Sequence, residues 1–192
     1  FASAAQGTLE LQDAQNQLRA STGATAEATK EYDTQMQKLY KGGYADSIND
    51  VASAMALVKQ YTNETDPTRI KELTENGIAL QDVFEMDLNG SIRGIDALMD
   101  NMGLSAEQAF DYMAAGAQNG LDKSGELADN IAEYSQLWGQ AGFSAEEMFS
   151  ILQNGLDSGA YNLDKINDYV KEFGISLADG RIEENLNAFS VE

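Results

Sequence analysis

The chain has 192 residues, enough to bury a core as one domain or two small ones, and its 12 basic against 32 acidic side chains give a formal charge of −20. Such a surface repels duplex phosphate and anionic lipid, which argues against nucleic-acid binding through a basic patch. Neither cysteine nor histidine is present, which removes disulfides, thiolate metal sites, thiol nucleophiles and most hydrolytic triads.

A mean hydropathy of −0.39 is ordinary for a water-exposed fold. No stretch approaches the roughly twenty apolar residues of a membrane span, and no basic-then-apolar signal opens the chain. The start at Phe1 rather than Met leads us to expect a piece of a longer protein, with any membrane or targeting segment outside it.

One proline, no alternating β-branched runs and apolar spacings of three and four predict an all-α fold without strands. The first helix runs through residues 8–21 with Leu11, Ala14 and Leu18 on one stripe, and stops near Gly23. A second follows Thr25 and carries Tyr32, Met36 and Leu39 up to the Gly42-Gly43 break. The third starts near Asp46 or Ser47 and aligns Ile48, Val51, Met55 and Val58. Asp66 is a natural N-cap for a fourth, with Pro67 at the first helical position, where its missing N–H costs nothing. Ile70, Leu73, Leu80 and Phe84 share a face there, with Gly77 in the intervening slot at a cost in stability or a local bend.

The stretch GLSAEQAF at 103–110 returns as GFSAEEMF at 142–149, 39 residues on. In both, the serine reads as an N-cap and the Gln or Glu three residues later as its capping-box partner, so both copies predict helix starts. Phe143 is placed to staple Met148, whereas Leu104 faces only Ala109. The aromatic at the eighth position is expected to enter the core. A second match links 119–139 to 154–174 at an offset of 35, which implies about one helical turn removed from the first helix or its exit. It pairs Ile131, Tyr134, Trp138 and Gly139 with Ile166, Tyr169, Phe173 and Gly174, the aromatics facing inward and the glycines ending helices. Ile95, Leu98, Met102 and Gly103 form a third, diverged set. Asn119-Gly120 and Asn154-Gly155 read as hairpin turns.

Two-helix repeats cannot bury their apolar faces alone and must stack. The expected architecture is therefore an all-α array of stacked antiparallel helical hairpins. It divides into an N-terminal hairpin over 1–43 and hairpin repeats over 44–192. The approximate units are 67–102, 103–139 and 142–174, with a C-terminal helix at about 181–189.

DLNGSI at 87–92 and DKSGELADNIAE at 122–133 suggest calcium loops, the latter with Asp122, Ser124, Glu126 and Glu133 at loop positions one, three, five and twelve. Leu127 stands where position six needs glycine, and the first stretch has its glycine two places early, so capped helix starts beside turns are the better reading. Glu146-Glu147 and Glu183-Glu184 are carboxylate pairs of the kind glycoside hydrolysis uses, but they fall in helix first turns, where negative charge is favoured anyway. Trp138 and the tyrosines are assigned to core packing. No catalytic, cofactor-binding or metal residue is assigned, and a non-enzymatic scaffold is expected.

The stretch from Gly103 to Asn185 resembles tape measure proteins, minor tail proteins of long-tailed bacteriophages and prophages, and residues 11–42 resemble the front part of that family. The resemblance implies a structural virion protein that lies in the tail-tube lumen, sets tail length and leaves ahead of the genome at ejection. It implies the host cytoplasm during assembly, the tail tube protein, tail assembly chaperones and tail-tip or baseplate proteins as partners, and it is compatible with self-association. No cofactor, direct nucleic-acid contact or membrane segment is implied for this stretch. Two other readings are a helical-repeat adaptor, which requires an exposed apolar or aromatic groove, and a cell-wall hydrolase fragment, which requires a carboxylate pair in a cleft.

Overall fold

The computed structural model describes residues 2–182 and 184–185, which form helices joined by turns and short irregular links, with no strand among them. The helices are α1 Ala2–Thr22, α2 Ala26–Lys41, α3 Ile48–Thr62, α4 Pro67–Phe84, α5 Leu88–Met102, α6 Ala106–Gln118, α7 Leu127–Gln140, α8 Ala145–Asp157 and α9 Leu163–Ala178. Most starts carry the signal expected of them. Thr25, Ser47 and Asp66 accept the amides of Ala28, Asp50 and Thr68, satisfying donors that a helix start leaves unpaired. Both capping boxes form, Ser105 with Gln108 and Ser144 with Glu147. Helix α4 runs unbroken through Gly77.

The helices stack in two layers. Odd-numbered helices pack in the order α1, α3, α5, α7, α9, and even-numbered ones in the order α2, α4, α6, α8. Consecutive helices such as α4 and α5, α5 and α6, and α8 and α9 close hairpins between the layers. This is the array of stacked hairpins that the repeats predict. One core runs along it, from Ala14 and Leu18 through Met55, Leu80 and Ile95 to Leu152 and Ile166. Neighbours within a layer run parallel, as the bonds from Arg93 to Asp129 and from Asn101 to Ser135 require.

The seam between α5 and α7 is built from small residues. A Cβ on Gly94 would lie 3.2 Å from the Ala128 carbonyl oxygen, and one on Gly139 only 2.5 Å from that of Asn101. No side chain fits at Gly139 unless the helices move apart. Across the same seam Asn101 Nδ2 donates to Ser135 Oγ at 2.9 Å.

Several repeat features sit elsewhere than expected. Asn119-Gly120 does end α6: Gly120 has φ 85° and the Leu121 amide donates to Gly116 O at 2.9 Å. Asn154-Gly155, in contrast, lies inside α8, whose turn is Ser158-Gly159, with φ 95° at Gly159 and the Ala160 amide donating to Gly155 O at 2.9 Å. Gly155 serves packing instead, because a Cβ there would meet Ile166 Cδ1 at 2.5 Å. Helices α6 and α8 are thus full-length copies, and the residues lost come from the exit, 119–126 before α7 against 158–162 before α9.

Neither Gly139 nor Gly174 ends its helix, since α7 continues to Gln140, with the left-handed glycine at Gly142, and α9 continues to Ala178. Phe173 and Tyr169 are 53% and 72% exposed rather than inward-facing, because no described helix covers that side of α9. Of the eighth-position aromatics, Phe149 is buried and Phe110 half-buried. Of the helix expected at about 181–189, residues 181–182 and 184–185 are helical, and Glu183 and 186–192 lie outside the described residues.

Candidate functional site

Of the carboxylates that suggested calcium, Asp87, Asp122 and Glu126 are engaged in local structure, and Glu133 is exposed on α7. Asp87 caps α5, its Oδ2 accepting the Gly90 amide at 2.7 Å. Asp122 Oδ1 accepts the Leu127 amide at 2.9 Å, while Ser124 Oγ donates to Glu126 Oε2. Burial raises the Asp122 pKa, and the bond from Leu127 pulls the other way. Among the described residues no three acidic side chains converge closely enough to hold a metal ion.

The carboxylate pairs are likewise separated by role. Glu147 Oε2 accepts the Ser144 amide at 2.8 Å, and that bond, with a second from the Ser144 hydroxyl, holds its pKa below the usual carboxylate range. Glu146 is exposed beside it, and Glu183 of the other pair lies outside the described residues. Asp96 is the group whose titration moves furthest towards neutrality: burial, and then Asp100 one turn on, push it up to about 6. It forms no ion pair among the described residues.

Trp138 is fully buried. Its indole N–H donates to Asn167 Oδ1 at 2.7 Å, Asn167 donates to Asn130 Oδ1 at 2.8 Å, and Asn130 donates to Asp164 Oδ1 at 2.8 Å. This relay joins α7 to α9 and satisfies polar groups that would be costly to bury alone. Phe143 packs edge-on against the same tryptophan, with ring centroids 5.1 Å apart. Trp138 therefore belongs to the core and lines no ligand groove.

The surface does carry one aromatic groove that sequence reasoning missed. It lies between α6 and α8, holds about 320 Å³ and is lined by Tyr112, Ala115, Gly116, Phe149 and Gln153, with Glu146 at its edge. Tyr112 and Phe149 stack at 5.2 Å. Gly116 lets Phe149 pack close to α6, since a Cβ there would sit 3.0 Å from Phe149 Cε1 and 3.1 Å from Leu127 Cδ2. The sequence held one usable signal: neither α6 nor α8 contains a lysine or arginine, although α6 carries Phe110 and Tyr112 and α8 carries Phe149.

Residues 41–190 match the family model described as phage-related minor tail protein. The chain belongs to that family. No curated protein and no solved structure matches it. The match spans most of the array, from the end of α2 through α9, and leaves out nearly all of the 11–42 stretch that resembles the front part of tape measure proteins. A minor tail protein has a structural role in the phage tail, and here Asp87, Asp122, Glu147 and Trp138 serve caps and core that hold the array together.

Proposed function

We propose that this minor tail protein segment is part of a tape measure, the component that sets tail length during assembly and departs with the DNA at ejection. The observation that carries the reading is the one-dimensional build of the chain, in which hairpins add along a single axis and copying a unit lengthens the object without redesigning it. The resemblance of Gly103–Asn185 to tape measure proteins supports it, and the charge of −20 suits a protein that must not adhere to the genome behind it. On this reading the segment occupies the tube lumen and meets the tail tube protein, the assembly chaperones and the tail tip.

In-frame deletion of 103–141 tests the reading. It removes α6 and α7 and brings Gly142, at φ 85°, to the place of Gly103, at φ 67°, so the helix exit before the next capping box keeps its left-handed glycine. If the segment lies in the tube as continuous helix, 39 residues at 1.5 Å each shorten the tail by about 58 Å. If it lies there as stacked hairpins, one step of roughly 8–10 Å is lost. Tails of unchanged length in electron micrographs of the mutant particles contradict a length-setting role.

A further inference from the structure

The caps, the core relay and the close α5–α7 seam account for most of the conspicuous side chains, but not for the groove between α6 and α8. Its floor is apolar and aromatic, yet Ala115, Ser150 and Asn154 along it are exposed. Carboxylates flank it. Glu146 lines its edge, and Asp111 is exposed one turn before Ala115 on the α6 side. Neither helix contributes a cation to balance them. The side-chain oxygen of Gln153, which lines the groove, is buried and accepts no hydrogen bond, while its Nε2 donates to Asp157 Oδ1 at 3.0 Å.

An apolar strip between unbalanced acids selects its occupant by charge as well as by shape. We propose that the α6–α8 groove docks a basic protein segment with one apolar face, its aliphatic or aromatic side chains on the Tyr112–Phe149 pair and its lysines or arginines against Asp111 and Glu146. A donor on that segment, or a turn of the Gln153 amide that it induces, satisfies the unpaired oxygen. The inference is independent of the length-setting role, because it concerns what one step of the array presents sideways.

The probe is a synthetic amphipathic helix of about four turns with leucine and tryptophan on one face and lysine on the other, titrated into the 192-residue chain and followed by amide chemical shifts. Shifts are expected at Tyr112, Ala115, Gly116 and Phe149. Because a chain this acidic attracts any polycation, two double charge reversals are compared. Asp111→Lys with Glu146→Lys weakens binding by about tenfold or more, whereas Glu27→Lys with Glu31→Lys, the same charge change on the exposed side of α2, changes it by less than about threefold. A peptide with serine in place of the apolar residues binds at least about tenfold more weakly. Equal effects of the two reversals, shifts spread over the whole acidic surface, or undiminished binding of the serine peptide each overturn the proposal.

Discussion

Two successive steps of the same layer are built on different principles. Between α5 and α7 the contact is made by Gly94, Ala128 and Gly139, and the backbones come within the reach of a missing methyl. Between α7 and α9 it is made by Trp138 and the asparagine relay, so a large ring and a polar chain stand where the first step has glycine and close backbones. Side-chain size at the seam sets the separation of packed helices. Helices with matching sequences therefore pack differently, and the pairing of Trp138 with Phe173 conceals this: one ring is fully buried, the other 53% exposed. A repeat buries its face only where a neighbour covers it.

The largest expected difference between the steps lies in those two rings. Trp138→Ala removes a fully buried ring and leaves Asn167 Oδ1 without its donor, so it should cost about 3–5 kcal/mol in urea unfolding. Phe173→Ala should stay within about 1 kcal/mol of the parent. Similar losses at the two positions would mean that the α9 face is covered in solution and would break the comparison.

A smaller effect separates the helix starts that lead into the two steps. Ser105→Ala and Ser144→Ala should each cost about 1 kcal/mol through loss of the cap. The partners differ, however, because Gln108 does not titrate and Glu147 does. Glu147 has a lowered pKa in the fold, so its contribution is complete above its unfolded pKa and is lost as pH falls through the folded one. The stability advantage of the parent over Glu147→Gln should accordingly vanish on acidification below the ordinary carboxylate range, whereas that over Gln108→Ala should not change with pH. A pH-independent difference at Glu147 would show that its carboxylate does not serve as the cap partner.

What the sequence disclosed about these steps follows from the range of the interactions. Helix starts were legible because a cap is completed within four residues: Thr25, Ser47, Asp66, Ser105 and Ser144 all fall where their side chains predict. Helix ends were less so. Asn119-Gly120 and Asn154-Gly155 look alike locally, yet the second lies inside its helix, where Gly155 packs against Ile166 of the following helix, a contact beyond local sequence. The identity of the NGLD letters at an offset of 35 hid a more faithful one at 39, carried by Gly120 and Gly159 through their backbone angles. Burial of Phe173 was misjudged for the same reason, since periodicity says which face is apolar and not whether a neighbour covers it. The groove escaped because Tyr112 and Phe149 meet only through stacking of helices two apart in the chain.

The most direct test applies one substitution to two positions that the sequence treats as equivalent. Gly139→Ala places a Cβ 2.5 Å from the Asn101 carbonyl oxygen, while Gly174→Ala, in the interior of α9, meets nothing within 4 Å. If seam size sets the stacking step, equilibrium denaturation shows Gly139→Ala destabilised by about 1 kcal/mol or more and Gly174→Ala stabilised by up to about 1 kcal/mol, the gain of alanine over glycine in a helix. Changes of the same sign at the two positions would contradict the account.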